Sequence, residues 1–347
     1  MIRRSAEGLE AHIKLPSELD EDEIAAWLRF MTATPSLQRA FLAPGFARAC
    51  EAAQGGVRVA VLRDGAGICA FLAFQFRSRW HAALGAAEGI GGGLTDHAGL
   101  VARAGFHIAP GLLLRLCGLG SLFLRQVSPA QAAFGLTSDP AGIGHLIDIA
   151  AGPAAYFEAL ALRDRAFVLD TERRARRMAR EFGDIRHVAM PDPPAEAVEE
   201  VIAAKRIQYG RTGVGDPLSR PEARRLLLQL ARQGGADCRL MLCSLHAGRH
   251  VLARHLGLMH GRTLSYWFPV YDAAARAVSP GRILLWHTIR DATALGITLI
   301  DRGGGDTQAK RDFSTGTVRF GVAHYTTPSL RGRIAHVAQA AAWRIGV

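Results

Sequence analysis

Within residues 279–310, SPGRILLWHTIRDATALGITLIDRGGGDTQAK, the hydrophobic period changes once. Ile283, Leu284, Leu285, Ile289 and Ala292 recur at helical spacing, which predicts a helix with one buried face. Beyond Leu295 and Gly296, Ile297, Leu299 and Ile300 read instead as a short buried strand. That strand ends in Asp301-Arg302-Gly303-Gly304-Gly305-Asp306, and a second helical segment carrying Lys310 follows. The first helix opens with Ser279 as N-cap and Pro280 at its first position, where a missing N–H does no harm. Free amides and the positive end of the helix dipole collect at such a start. Gly281 allows close approach and Arg282 adds a cation, so the spot suits a phosphate.

Upstream, the elements fall into an order that occurs twice. Helical spacing over 21–31 and 36–53 precedes strand-like runs at 57–63 and 68–77, joined by a tight turn at Asp64-Gly65. A second helix pair, over 195–206 and 220–233, precedes three strand-like runs at 238–245, 251–260 and 263–271. The Ser279 helix and the Ile297 strand then complete the second set. Between the two sets lie a strand-like run at 144–150, a helix at 153–162, an Arg-rich helix over 171–180 and a turn-rich joint at 191–194. This order predicts an α/β fold with mixed sheets: two tandem halves, 1–170 and 195–347, joined by a linker over 171–194, with a cleft between the halves. The Arg-rich helix has two readings, a solvated linker or a grip on the phosphates of a nucleic acid or lipid.

The string SPG-x-x-LL, then a strand ending D-x-G-x-G-D, then K-R-D-F, resembles the bacterial acyltransferases of the CelD/BcsL type. These are cellulose-associated proteins of GNAT fold, similar in architecture to the FemAB peptidyltransferases. The resemblance continues in Lys205-Arg206-x-Gln208-Tyr209-x-Arg211-Thr212-Gly213, in residues 171–183 and more faintly in 93–99. Arg302 stands where members carry an aromatic residue, Thr307 where they carry an acid and Ala309 where they carry a tyrosine.

The resemblance implies two GNAT-like domains, the first degenerate, and an acyl donor such as acetyl-CoA held by Ser279, Pro280, Gly281 and Arg282 with Tyr271 alongside. It further implies Asp301 as general base or acceptor orienter and Lys310 as a cation for the reacting groups, against the plainer readings of Asp301 as a cap on the glycine turn that follows and of Lys310 as a solvent-facing helix lysine. Lys205, Tyr209, Arg211, Tyr266 and Gly303 fall on the acceptor side. The implied acceptor is a sugar or small component of an envelope polysaccharide, N- or O-acylated by direct attack, with association with the machinery that assembles it. Asp96 and His97, in the glycine-rich run 89–99, either wall the acceptor site or sit in a chain crossing that needs positive φ.

Composition narrows the alternatives. The 347 residues are 49% hydrophobic, an ordinary globular make-up long enough for two domains. Lys and Arg number 42 against 31 Asp and Glu, a net charge of +11, which fits a polyanionic partner or the Arg-rich usage of a GC-rich genome. An aminoacyl-tRNA donor and a non-catalytic scaffold in polysaccharide assembly are therefore the rival readings. Five cysteines without C-x-x-C form neither a disulfide framework nor a zinc signature, which fits a reducing cytoplasm. His246, His250, His255 and His260 sit on strands and turns rather than at the helical spacing of a metal pair, so no metal is expected. No signal peptide is legible, and the apolar run 111–124 is too short to cross a bilayer. A methyltransferase reading of Asp301-Arg302-Gly303-Gly304-Gly305 fails because only about forty residues follow it, too few for the rest of a doubly wound sheet.

Overall fold

The structure, a computed structural model, describes residues 2–4, 8–213 and 215–345. It divides into two compact units. The first takes the chain up to Gly142, then Arg220–Gln229, then the chain from Arg319 on. The second takes Ile143–Ser219 and Leu230–Val318. The expected boundaries at 170 and 194 do not coincide with this division, in which each unit draws on separated stretches of sequence.

In the first unit, helices Glu21–Ala33 and Pro44–Gln54 precede the antiparallel strands Val57–Asp64 and Gly67–Gln75. The first helix starts on a capping box: Asp20 accepts the Glu23 N–H at 2.8 Å, and Glu23 accepts the Asp20 N–H at 3.2 Å. The helix expected over 36–53 is instead two short 3₁₀ turns followed by a helix that opens at Pro44. A proline cannot donate into a preceding turn, so it starts a helix more readily than it continues one. Strand Ala86–Glu88 runs parallel to Ser121–Val127, and helix Pro110–Cys117 lies in the crossover. The late strand Gly316–Thr326 pairs antiparallel with Ser121–Val127. Trp27 anchors this core: it stacks on Phe71 at 4.7 Å, and its indole N–H donates to the Leu42 carbonyl at 2.9 Å.

The second unit follows the same order. Helix Ala195–Thr212, and then helix Pro221–Gln233 whose last turn belongs here, lead into the meander Arg239–Ala247, His250–His260 and Thr263–Tyr271. Helix Pro280–Arg290 crosses back, so that strand Leu299–Gly304 lies parallel to Thr263–Tyr271, the connection a parallel pair requires. On its other edge Leu299–Gly304 pairs antiparallel with residues 144–148. Strand Ile185–Pro191 closes the far edge against Arg239–Ala247. Ile283, Leu284 and Ile289 from the helix pack with Leu245, Leu264 and Ile300 from the strands in one apolar core.

The Arg-rich run lies inside a longer helix, Arg165–Phe182, which belongs to the second unit. Phe167, Thr171 and Met178 bury one face, while Arg173, Arg176 and Arg177 pair with Asp170, Glu172 and Glu181 on the helix's own surface. A solvated linker would have left that face uncovered. All five cysteines are buried and form no disulfide among the described residues, in which no helix is long and apolar enough to cross a membrane.

Candidate active site

Strands Thr263–Tyr271 and Leu299–Gly304 pair in parallel only for three residues, Thr263 to Ser265 against Leu299 to Asp301. They separate beyond that point. A bulge in Thr263–Tyr271 falls at the same place: Leu256 faces Phe268 while Leu258 faces Ser265, so Tyr266 and Trp267 together oppose Gly257. The His255 ring fills in for the missing ladder bond by accepting the Trp267 N–H on Nε2 at 3.1 Å. His255 is fully buried and stacks on Tyr266 at 3.6 Å. Burial, with the nearby Arg302 and Lys205 cations, holds its pKa well below the usual histidine range, so the ring is neutral and free to accept. Gly257 is required here, because a Cβ would stand 2.6 Å from the Ser265 carbonyl oxygen.

A cavity of about 510 Å³ opens where the strands part. Tyr266, Pro269 and Tyr271 line it from one strand, Arg302 from the other, and Ser279, Pro280, Gly281 and Arg282 from the helix start. Tyr266, Tyr271, Ser279, Pro280, Gly281 and Arg282 thus border one space. Four arginines, Arg174, Arg276, Arg282 and Arg302, and one acid, Asp312, are among the residues that line this space.

Three of the arginines gather near the helix start. Arg282 donates to Asp170 at 2.8 Å and lies over the Phe167 ring at 4.5 Å. Arg174 donates from Nε to Asp170 at 2.7 Å, and from Nη1 to the Ala277 carbonyl at 3.0 Å and the Ser279 hydroxyl at 3.1 Å. Hydrogen bonds from Arg174, then Arg173 and Arg282, hold the Asp170 carboxyl well below the usual carboxylate range. One carboxylate therefore orients three guanidinium groups and cannot cancel all of their charge. Arg276 makes no ion pair among the described residues.

The helix start itself departs from the expected cap. Ser279 occupies the N-cap position with a left-handed backbone, φ 53°, and its hydroxyl makes no cap hydrogen bond because it accepts from Arg174 instead. The Arg282 and Ile283 amides close onto the Ser279 carbonyl at 3.0 and 3.2 Å. Gly281 retains a first-turn amide with no intrahelical acceptor, and the nearest atom to a Cβ there would be Tyr271 Cδ1 at 3.8 Å, which leaves room for a ligand.

Asp301 and Lys310 do not line the cavity. Asp301 is buried and accepts the Gly303 N–H at 2.9 Å, and Lys310 donates to the carbonyls of Gly303, at 3.2 Å, and Gly304, at 2.6 Å. Both grip the glycine turn, where Gly303 has φ 62°, and so fix the path of the strand that carries Arg302. Lys205 is buried beside the cavity, donates to the Pro269 carbonyl at 2.8 Å and lies 5.0 Å from the Tyr209 ring. Burial lowers its pKa to about 8. Gln208, three residues on, lines the cavity, whereas Arg211 is exposed and does not.

Asp96 and His97 lie in the first unit. His97 is buried between Phe41 and Phe320, with ring centroids 6.3 and 5.2 Å away, and Asp96 borders a separate small polar cavity with Glu88 and Arg125. Arg174, Arg276 and Asp312 escaped the sequence reading. Asp312 was within the K-R-D-F string, whereas nothing local distinguishes Arg174 from its arginine neighbours.

Residues 169–311, which include every cavity-lining residue except Asp312 and Phe313, match the family described as Acetyltransferase (GNAT) domain. This part of the chain is similar to a GNAT acetyltransferase-type domain. Solved structures extend the likeness to most of the chain. FemX is 12% identical with a TM-score of 0.55, over 81% of this chain and 90% of its own. The C-terminal domain of a protein provisionally assigned as a lysylphosphatidylglycerol synthetase, from Agrobacterium fabrum, is 12% identical with a TM-score of 0.54, over 92% and 95%. A tandem GNAT protein from the clavulanic acid biosynthesis pathway is 13% identical with a TM-score of 0.50, over 91% and 98%. The fold is therefore that of tandem GNAT proteins. No curated protein matches the sequence.

Proposed function

We propose that the second unit binds an acyl-CoA in the cavity at the parted strands and transfers the acyl group to an amine or hydroxyl. The observation that carries this reading is the coincidence of three features in one space. Two parallel strands part and leave backbone edges for the amides of an extended ligand, a lone helix-start amide remains at Gly281, and arginines oriented by Asp170 lie beside it. The volume lies within the usual range of small-molecule sites, roughly 300–1,000 Å³. Arg174, Arg276, Arg282 and the Gly281 amide are suited to the phosphates, and the edge from Tyr266 to Tyr271 to the arm that carries the acyl group.

Bound acyl-CoA supplies an activated carbonyl. The protein supplies orientation, and Asp312 on the cavity wall takes the proton of the attacking amine or hydroxyl as the new C–N or C–O bond forms, the thioester C–S bond breaks and CoA leaves as its thiolate. Asp301 and Lys310 act as positioning residues through the glycine turn. The resemblance to cellulose-associated acyltransferases supports a sugar or small envelope-polysaccharide component as acceptor. A thermal-shift and thiol-release screen against acetyl-CoA, longer acyl-CoAs and charged tRNA tests the donor. An acyl-CoA should raise the melting temperature of the wild type and do so much less in Arg282→Ala. Stabilisation by charged tRNA alone would transfer the site to the rival donor, and no response to any donor would count against a transferase.

A further inference from the structure

Arg302 differs from the other arginines of the cavity. Among the described residues its one hydrogen bond runs from Nη1 to the Ala309 carbonyl at 2.7 Å, and it has no carboxylate within ion-pair distance. Its Nε is buried with no acceptor. It also lies over the Tyr266 ring, 5.5 Å from the guanidinium carbon. Burial lowers its pKa, with Tyr266, Tyr156 and Asp312 opposing, yet a guanidinium stays charged in any protein environment. Arg302 as a whole is partly buried, but its Nε is a buried donor without an acceptor, which costs roughly 1–3 kcal/mol. Such an arrangement persists where a ligand completes it.

The position is specific. Arg302 directly follows Asp301, the last residue paired to the neighbouring strand, so it stands at the fork where the cavity begins. Arg174 and Arg282 share Asp170 near the helix start, whereas Arg302 has no such counter-ion. With Nε buried and one Nη1 hydrogen committed to Ala309, the outer Nη1 and Nη2 hydrogens are left as the pair that matches the two oxygens of a carboxylate. We infer that one of the two reacting substrates carries a carboxylate that Arg302 binds at this fork, on the acyl group or on the acceptor. This rests on the acyl-CoA reading of the same cavity.

Isothermal titration of the full chain separates the two sources. In one arm succinyl-CoA is compared with butyryl-CoA. In the other, protein saturated with CoA is titrated with glucuronate against glucose and with glutamate against glutamine. A charge-assisted hydrogen bond is worth about 1.5–3 kcal/mol, so the carboxylate should bind roughly tenfold tighter or more in one arm. Arg302→Gln should erase that preference and leave CoA affinity within about twofold, and Arg302→Lys should retain part of it because the charge remains without the fork. No preference in either arm, a preference untouched by Arg302→Gln, or loss of CoA binding in Arg302→Gln would each overturn the inference, the last by making Arg302 a phosphate ligand. If the wild type binds no CoA, the donor reading fails separately, and the same acids and their neutral counterparts are then titrated into the protein alone and judged by the same criterion.

Discussion

Asp301 and Asp312 lie eleven residues apart and take different tasks. Asp301 ends its paired strand and spends an oxygen on the Gly303 N–H, a bond that an amide oxygen can also accept. Asp312 faces the cavity, with one oxygen accepting from the Gln308 amide at 2.6 Å. Asp312→Asn should therefore lower kcat by about 10²–10⁴, the usual worth of a positioned base, and leave the melting temperature nearly unchanged. Asp301→Asn should keep most of kcat, while Asp301→Ala should destabilise by about 1–3 kcal/mol, read by chemical denaturation. A kcat collapse in Asp301→Asn with an intact fold would return the base to Asp301. The sequence showed both acids, but spacing along a chain cannot tell an oxygen bound to its own turn from one that faces a cavity.

At the scale of elements, the cavity depends on where two strands stop pairing. The helix over Pro280–Arg290 and the strand after it were legible because their apolar periods are strong and a proline and a glycine mark the ends. The bulge at Tyr266 and Trp267 was not, since it depends on the partner strand's Gly257 and on a histidine ring that replaces a ladder bond. Strand Ile185–Pro191 was likewise hidden, because the prolines that follow it signalled only a turn. The helix-start amides were legible as a group, yet two of them close on the Ser279 carbonyl, a detail set by the left-handed Ser279 backbone. Gly257→Ala tests the bulge: the added methyl meets the Ser265 carbonyl oxygen, which cannot move without the strand, so stability should fall by about 1–3 kcal/mol in denaturant titration. Tyr266 should lose its place over the cavity at the same time, with weaker donor binding. An unaffected variant would show that the bulge is dispensable.

At the scale of the whole molecule, the second unit holds buried histidines that resist protonation. Burial is the largest cause for each: it brings His287 to about 4, lowers His187 against the opposing Asp291 contact, and lowers His255 well below the ordinary range. A folded-state pKa below the unfolded value of about 6.5 means that the unfolded chain binds more protons as the solution is acidified. Stability should therefore be flat in these groups above pH 6.5 and fall between pH 6.5 and 4, by up to roughly 1.4 kcal/mol per pH unit for each histidine that stays neutral. Denaturant titrations across that range check the slope, and His287→Gln should make it shallower. A stability that rises toward pH 4 would contradict the buried neutral state.

The helix pair and the strands after it were readable in both halves, and the closing helix and strand in the second, because each rests on strong local periods. The interleaving of the two units was not, because it depends on pairings such as Gly316–Thr326 with Ser121–Val127, almost two hundred residues apart.

The central claim concerns one space, so diffraction from crystals of the full chain grown with CoA tests it most directly. The account predicts density in the second unit with the phosphates against Arg174, Arg282 and the Gly281 amide, and with the pantetheine arm along the edge from Tyr266 to Tyr271. Ordered CoA elsewhere, such as in the polar cavity lined by Gln54, Arg77 and Arg220 in the first unit, with the space at the parted strands empty, would contradict it.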